Sequence, residues 1–396
     1  MVKRAGVSPD AQVAMTGAKA MTSKLCVLIP DGENEHVLWT ARSLAHSKRV
    51  KLYILSDKRW TPVRFSRHCR LYKFRATGAD HGARLNAVTE MMKRVHVDVI
   101  LPVSEEGVLF AAAERESLSK LAALPPIPDL ESLKTARNKW LLNQFAGQHD
   151  LPVPEAALVT FDSAFEGRIS ALEYPVLLKP TALTDGQGIR YFDTPAGLWR
   201  FLKSQEGALF KDRYLVQTYV PGYDLGLSVL CRDGEILAFT IQRGIMAHRF
   251  GSLTAMEFVR QDDVLELGQK LVTALRWNGV AHIDFRRDSR DGQPKIIELN
   301  ARYWGSLLGS LVAGVNFPYL ACLAAQGVSF PMPRYQLSKF TYTTTAIKEG
   351  LLRCVGKGSL KGFTFRETGL RFFLPDPLPE VLKRLQEFAD VQRVDP

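Results

Sequence analysis

The chain has 396 residues, of which 46% are hydrophobic and 23% are charged. At roughly 100–200 residues per domain this length predicts two to four domains with real cores, which excludes a wholly disordered chain and a small disulfide scaffold. Lys and Arg total 52 against 41 Asp and Glu, a net charge of +11. Such an excess favours anionic partners, such as nucleotides or carboxylate substrates. No apolar run reaches the roughly 18 residues that a membrane-spanning helix needs.

Five cysteines are spread widely along the chain, and no CxxC pair occurs. This number and spacing favour a reducing, cytoplasmic location over a disulfide framework or a zinc site. Residues 1–23 lack an apolar core of signal-peptide length and are expected to form a flexible tail. A transit peptide and an expression remnant are the alternatives for this segment.

Short apolar runs and helical spacing alternate over residues 24–122, in the order strand, helix, strand, helix, strand. The segments are KLCVLIP (24–30), HVLWTARSLAHS (36–47), VKLYIL (50–55), ARLNAVTEMMKRVH (83–96) and VDVILPV (97–103). This alternation predicts a doubly wound α/β domain with a parallel sheet. The segment PDGENE follows the first strand, so the GxGxxG dinucleotide-binding fingerprint is absent.

A proline-rich linker is expected at residues 121–133, followed by one helix over KTARNKWLLNQFAGQ (134–148). The chain is then mostly strand-like up to Asn300, as in an α+β domain. Two hairpins are predicted there, one turning at Asp233-Gly234 and the other near Asp291-Gly292, because Asp-Gly is a strong hairpin signal.

The second hairpin carries the main candidate for chemistry. A turn near Asp291 places Asp284 opposite Glu298, and side-chain alternation places Glu298, Asn300 and Arg302 on one face. Carboxylate and amide oxygens suit magnesium, and a guanidinium group suits a phosphate or a developing oxyanion. The alternative is a solvated sheet face whose charges pair with one another.

Lys179 ends the apolar run YPVLLKP, where its ammonium group would reach phosphates in a cleft. The loop that follows contains Gly186 and Gly188 and is predicted to form a mobile flap over a triphosphate, with its backbone amides as donors. An ordinary glycine-containing hairpin loop is the alternative.

The segment VQTYVPGYD is predicted to be an interdomain hinge near residues 217–224. Backbone groups of Gln217 and Val220 could bind the edge of an adenine, and Asp224 could accept hydrogen bonds from a ribose. A simple turn between strands is the alternative.

In their order along the chain, these motifs resemble the ATP-grasp superfamily of the carboxylate–amine ligase type. The shared segments are ARNKW with Lys139, DLPVPE, YPVLLKP with its glycine loop, VQTYVPGYD and HIDF…IIELNARYWGS. The last of these is the most specific, and the resemblance covers residues 24–330. It implies a pre-ATP-grasp domain at 24–122, a two-subdomain ATP-grasp fold at 123–330, and a C-terminal region at 331–396 that matches no element of the family.

The resemblance also implies residue roles. Lys139 and Lys179 would hold the ATP phosphates, Gln217 and Val220 would bind adenine through their backbones, and Asp224 would bind the ribose.

Asp284, Glu298 and Asn300 would hold two Mg²⁺ ions, and Arg302 would face an acyl phosphate. The chain departs from the usual pattern in three places. The loop has only two glycines, Asp284 stands where many members have Glu or Gln, and NAR replaces NPR. The shorter reach of Asp284 suggests that one ion binds through water.

The expected activity is an ATP-dependent ligation, in which a carboxylate is activated as an acyl phosphate and then joined to an amine. An amino acid is the expected substrate, and Arg243, His248 and Arg249 in QRGIMAHRFGSLT are candidates to bind a substrate carboxylate. The expected partners are small molecules, with a homodimer as a further candidate and no membrane.

Two other functions are considered. Residues 48–75 interleave basic and aromatic side chains, as single-stranded nucleic-acid sites do. A solvated rim of the first domain is the favoured interpretation of this stretch. A nucleotide-binding regulatory protein without catalysis is the other alternative, and the intact set of Asp284, Glu298 and Asn300 argues against it.

Overall fold

A computed structural model describes residues 24–182, 187–204, 210–247, 253–354 and 362–385. Within these residues the strands form three sheets, two of four strands and one of six. The helices pack on these sheets, and the three sheets follow one another along the chain.

The first sheet has four parallel strands in the order β3-β2-β1-β4. The strands are β1 (Leu25–Ile29), β2 (Val50–Ser56), β3 (Cys69–Phe74) and β4 (Val99–Ile100). Helix α1 (His36–His46) connects β1 to β2, and α2 (His81–Met92) connects β3 to β4. Alternate side chains of β1 enter two different cores, one shared with α1 and one shared with α2. The predicted doubly wound parallel sheet is therefore confirmed.

Strand β3 is absent from the predicted elements because it lies inside the basic and aromatic stretch 48–75. It is a half-buried edge strand, so charged side chains interrupt its apolar residues. The rings of this stretch contact arginines of the same stretch: the Arg64 guanidinium lies 5.0 Å from the Trp60 ring and 5.5 Å from the Tyr72 ring. These basic and aromatic side chains therefore form cation–π contacts with one another within the chain.

Four helices follow the first sheet. They are α3 (Glu105–Ala113), α4 (Arg115–Ser119), α5 (Leu130–Arg137) and α6 (Lys139–Gln148). The prediction of a single helix over 134–148 is wrong, because Asn138 has an extended backbone between α5 and α6. The Asn138 side chain caps α6 by accepting from the backbone N–H groups of Trp140 and Leu141. The break places Lys139 in the first turn of α6, where its backbone N–H donates to Thr181 O at 2.8 Å.

The second sheet is antiparallel and has the order β5-β8-β6-β7. Its strands are β5 (Ala156–Leu158), β6 (Val176–Pro180), β7 (Arg190–Phe192) and β8 (Tyr214–Thr218). Helices α7 (Phe165–Ser170) and α8 (Pro195–Lys203) cover one face and close a small separate core. The opposite face of this sheet lines a cleft.

The third sheet is antiparallel and has the order β13-β12-β9-β10-β11-β14. Its strands are β9 (Gly222–Arg232), β10 (Glu235–Ala247), β11 (Leu253–Phe258), β12 (Gly279–Asp288), β13 (Pro294–Asn300) and β14 (Lys339–Thr341). Helix α9 (Asp262–Ala274) packs against it. Both predicted hairpins are confirmed: β9 pairs with β10, and β12 pairs with β13. At the first turn Asp233 and Gly234 have φ values of 49° and 82°, and a type I′ hairpin turn requires a positive φ at both of its central residues.

The chain after β13 packs back onto the first sheet. Helices α10 (Leu307–Val312) and α11 (Phe317–Ala325) share a core with α1 and β1. Helix α12 (Thr343–Cys354), α13 (Leu370–Phe373) and helical residues 378–385 follow. Among the described residues, none of the helices combines the length and the hydrophobicity required to cross a bilayer.

Candidate active site

A cleft of about 1220 Å³ lies between the open face of the second sheet and the third sheet. The second sheet contributes Lys179 and Gln217, and the third contributes Asp284 and Glu298. Helix α1 and residues 383–384 complete the wall at one end. Pockets for single small ligands are usually about 300–1,000 Å³, so this cleft has room for a nucleotide and a second molecule.

Two carboxylates face each other across the second hairpin of the third sheet. Asp284 on β12 is directly opposite Glu298 on β13, as their spacing predicts, and a bulge follows this pair. The Asn300 amide lies on the same face and donates from Nδ2 to Asp284 Oδ2 (3.0 Å) and to Glu298 Oε1 (3.1 Å). The structure therefore brings together the three residues predicted to bind metal.

The remaining carboxylate oxygens have cationic or imidazole neighbours. Lys139 Nζ lies 2.8 Å from Glu298 Oε2, and His282 Nε2 lies 3.3 Å from Asp284 Oδ1. Burial alone would raise the pKa of Glu298, but the Lys139 ammonium and the Asn300 amide outweigh it and hold the pKa at about 2. Burial raises the pKa of Asp284, and the adjacent Glu298 charge adds to this effect while His282 opposes it.

This donor set fits a magnesium ion. Mg²⁺ takes a few protein carboxylates and keeps water or phosphate oxygens as its other ligands. Asp284 and Glu298 bring two half-buried carboxylates together, and a divalent cation would offset the repulsion between their charges. Among the described residues, no three Asp, Glu, His or Cys side chains are placed to hold a metal ion together, so water, phosphate and the Asn300 amide would supply the remaining ligands. Asn300 Oδ1 accepts from Arg302 Nη2 at 3.2 Å, so the amide must turn over before its oxygen can reach a cation.

Lys179 is buried at the end of β6, where its Nζ donates to Gln217 Oε1 at 2.7 Å. Burial lowers the pKa of Lys179 to about 8, with the Lys139 charge contributing in the same direction. The backbone of Gln217 lies inside the sheet, opposite Ala156 on one side and Leu177 on the other. The Gln217 side chain is directed at Lys179, and the contact of the Gln217 backbone with adenine stays a prediction.

Arg286 organises the connection between the second and third sheets, and the sequence reasoning missed it. Its guanidinium donates to Val220 O and Asp224 Oδ1, and to Tyr219 Oη at 3.1 Å. Val220 and Asp224, two of the three positions predicted to bind adenine and ribose, are thus held by one side chain. Arg286 is two residues after Asp284 on β12, so strand alternation in HIDFRR could have indicated its place on the cleft face.

Arg302 follows β13 and lies beside the carboxylate pair, as predicted. Its Nη1 donates to Tyr303 O at 3.1 Å and lies 3.3 Å from Nε2 of His36 on α1. His36 is another residue that the sequence reasoning missed. It is 266 positions away in the chain, and no local pattern links the two.

The predicted flap and substrate residues are only partly described. Gly186, His248 and Arg249 lie outside the described residues. Gly188 has a φ of 73°, a conformation that favours glycine, and it stands between the cleft residues Gln187 and Ile189. Arg243 is not among the residues that line the cleft, because it pairs with Glu257 on the neighbouring strand β11, with an Nε–Oε1 distance of 2.6 Å. The expectation that Arg243 binds a substrate carboxylate is therefore corrected.

The fold is similar to that of ATP-grasp proteins. Residues 210–346 match the family model described as "ATP-grasp in the biosynthetic pathway with Ter operon". The structure resembles N5-carboxyaminoimidazole synthetase from Staphylococcus aureus with a TM-score of 0.63 at 16% identity, over 84% of this chain and 85% of that chain. The chain therefore has the ATP-grasp fold.

The names of two curated relatives each state a particular ligase activity. The chain is 21% identical over 221 residues to a D-aspartate ligase of Enterococcus faecium, covering 51% of this chain and 52% of the relative. It is 25% identical over 160 residues to a putative D-alanine–D-lactate ligase of Streptomyces coelicolor, covering 40% of this chain and 44% of the relative. The chain thus spans about half the length of these relatives.

Proposed function

We propose that this protein is an ATP-dependent ligase that activates a carboxylate as an acyl phosphate and joins it to an amine. The observation that carries the proposal is the half-buried pair of Asp284 and Glu298, with Lys139, Asn300 and Arg302 bonded around it. Phosphoryl transfer uses metal ions held by acidic and amide side chains, together with cationic groups that neutralise phosphate charge, and this cleft offers both.

In this reaction the substrate carboxylate attacks the γ-phosphorus of ATP, and the bond from phosphorus to the β-phosphate oxygen breaks, which releases ADP. Lys139 and Lys179 hold the phosphates in line for the attack and offset their charge. Mg²⁺, held by Asp284, Glu298 and Asn300, would supply further neutralisation of phosphate charge when bound.

The amine then attacks the acyl carbon, and inorganic phosphate leaves. Arg302 is placed beside the metal set, so its planar guanidinium would donate to the oxyanion that develops on the acyl group. Since the intermediate is formed from substrates alone, the reaction requires no nucleophilic side chain from the protein.

An amino acid is the proposed substrate on at least one side of the reaction. The curated relatives carry the names of ligases for D-aspartate and for D-alanine with D-lactate, which are small amino and hydroxy acids. The cleft volume of about 1220 Å³ also suits a nucleotide beside such a small molecule.

The test is phosphate release from ATP with pairs of L- and D-amino acids, each pair measured with and without Mg²⁺. We expect release that depends on both the pair and Mg²⁺, and Glu298→Gln should abolish it. Glu266→Gln is the matched control, because Glu266 is an exposed residue of α9 that pairs with Lys270. Equal release by the two variants would contradict the assignment of Glu298.

A further inference from the structure

His282 on β12 is a buried neighbour of the Asp284 carboxylate. Side chains alternate along a strand, so His282 and Asp284 lie on the same face of the third sheet. The imidazole is 7% exposed and is among the residues that line the cleft. Its Nε2 atom lies 3.3 Å from Asp284 Oδ1, and its Nδ1 atom lies 2.9 Å from Oγ of Ser228 on β9. The ring therefore joins a buried hydroxyl to one oxygen of a predicted metal ligand.

The chemistry of these two neighbours determines which ring nitrogen carries the hydrogen. An ionised carboxylate can only accept hydrogen bonds, so Nε2 of His282 carries the hydrogen that faces Asp284. In the neutral ring Nδ1 is then an acceptor, and the Ser228 hydroxyl donates to it. Ser228 thus favours the tautomer in which His282 offers an N–H group to Asp284.

Packing holds the imidazole in this orientation. Ser228 is directly opposite His282 on the neighbouring strand, and Gly226 is directly opposite Asp284. A Cβ atom on Gly226 would lie 2.7 Å from Cε1 and 2.9 Å from Nε2 of His282, so the ring fills the space that a side chain would take there. The Trp304 ring stacks on the imidazole, with the ring centroids 5.7 Å apart. His282 therefore has little freedom to turn away from Asp284.

The carboxylate oxygens of the proposed metal site are of two kinds. Asp284 Oδ1 lies beside His282, and in the same way Glu298 Oε2 lies beside Lys139. Asp284 Oδ2 and Glu298 Oε1 instead both accept from Nδ2 of Asn300. These two oxygens lose their donor when the Asn300 amide turns over, whereas Asp284 Oδ1 keeps its contact with His282. Asp284 would then offer a cation one oxygen, Oδ2.

We infer that His282, oriented by Ser228, is a positioning residue that makes Asp284 a one-oxygen ligand and thereby favours Mg²⁺ over Ca²⁺. Mg²⁺ requires a compact octahedral shell with few carboxylates, whereas Ca²⁺ takes about six to eight oxygens and accepts both oxygens of one carboxylate. A carboxylate with one oxygen already engaged suits the smaller ion. The inference rests on the metal site of the proposed function and adds ion selectivity to it.

The test measures ion binding without turnover. Calorimetric titrations with a non-hydrolysable ATP analogue are repeated at increasing concentrations of Mg²⁺ or of Ca²⁺, which gives the ion concentration that half-saturates its effect on analogue affinity. His282→Ala should raise this concentration for Mg²⁺ by about 10–100-fold, as the loss of a side chain that orients a metal ligand does. The increase for Ca²⁺ should be smaller, because the freed Oδ1 of Asp284 can become a second ligand. The preference for Mg²⁺ should therefore fall.

Further variants separate this contact from damage to the fold. His282→Gln can place an N–H group near the position of Nε2 and should keep most of the preference for Mg²⁺. Ser228→Ala removes the donor to Nδ1 and should lower the preference, though less than His282→Ala does. Thr240→Val is the matched control, because Thr240 carries a buried hydroxyl directly opposite Ser228 on β10 and bonds instead to Ser310 Oγ (3.1 Å). Thermal unfolding shows whether each variant is folded.

Equal half-saturating Mg²⁺ concentrations for His282→Ala and Thr240→Val would overturn the inference, and so would equal losses for Mg²⁺ and Ca²⁺. Tighter Mg²⁺ binding by His282→Ala would also overturn it, because His282 would then compete with the ion for Asp284. If His282→Ala does not fold, Ser228→Ala decides by the same comparison with Thr240→Val.

A failure of the proposed function has a different appearance. If the wild-type protein releases no phosphate with any pair of amino acids, the ligase proposal fails, but the titrations with the ATP analogue still test His282. If analogue affinity in the wild-type protein depends on neither ion, the inference about His282 is overturned, whatever the ligase assay shows.

Discussion

The imidazole of His36 and the guanidinium of Arg302 lie 3.3 Å apart, between Nε2 and Nη1, although they come from different parts of the chain. His36 Nδ1 is 2.7 Å from Asn34 Oδ1, and that oxygen also accepts from the backbone N–H of His36. The Nδ1 atom therefore carries the ring hydrogen, which leaves Nε2 as an acceptor for Arg302. Through this contact helix α1 sets the position of the proposed catalytic guanidinium.

His36→Ala should lower kcat and leave the affinity for an ATP analogue nearly unchanged, because His36 contacts Arg302 and not the proposed phosphate-binding lysines. A loss of about tenfold is expected, the equivalent of one hydrogen bond of about 1.4 kcal/mol. Steady-state kinetics and equilibrium titration on the same preparation measure the two effects. A kcat equal to that of the wild type would show that His36 has no positioning role.

Arg302→Lys should reduce product formation by about 10²–10³-fold while ATP-analogue affinity changes little. Lysine keeps the charge but loses the planar pair of donors that would meet the developing oxyanion. Product formation at saturating substrates is compared with calorimetric affinity. A fall in ATP affinity with turnover at saturation preserved would instead assign Arg302 to phosphate binding.

Nucleotide affinity should weaken as the pH rises from 7 to 9.5. Burial lowers the pKa of Lys179 to about 8, so the side chain loses its charge over this range, and phosphates bind the charged form. Binding should then take up protons above pH 8, which titrations in buffers of different ionisation enthalpy detect. Lys179→Arg keeps its charge and should flatten the pH dependence of nucleotide affinity.

The lowered pKa of Lys179 has the opposite effect on folding stability. Between about pH 8 and 10.5 the unfolded chain binds more protons than the folded chain, so the free energy of unfolding rises with pH in this range.

Gly107→Ala should destabilise the protein by about 1–3 kcal/mol, as overpacking a core does. A Cβ atom at this position of α3 would lie 2.0 Å from Asp31 Oδ2. That carboxylate is fully buried and accepts from the backbone N–H of Ser104 (2.6 Å) and of Val103 (3.1 Å), so it has no room to move.

Gly147→Ala provides the contrast, because a Cβ atom on this residue of α6 meets nothing within 4 Å. This change should stabilise the helix by up to about 1 kcal/mol, since alanine has the higher helix propensity. Chemical denaturation of both variants tests the pair. Equal changes in the free energy of unfolding for the two variants would contradict the role of the Asp31 contact.

The features that depend on neighbours a few residues apart follow from the amino-acid sequence alone. Asp284 meets Glu298 because an Asp-Gly turn and a two-residue alternation specify an antiparallel hairpin and its facing pair. The parallel first sheet follows in the same way from apolar runs separated by helical segments. The break at Asn138 was missed, although an asparagine before a new helical turn is a recognised N-cap signal.

Which distant segments meet at the cleft depends on how the whole chain packs. The buried pair of Arg42 and Asp376 brings residues 383–384 to α1, and the shared core of α1, α10 and α11 brings His36 to Arg302. Core packing accepts many combinations of apolar residues, so the local pattern on α1 does not specify its partner. These contacts join residues that are hundreds of positions apart, and they form only when the complete fold buries its apolar faces. No local motif can therefore predict them.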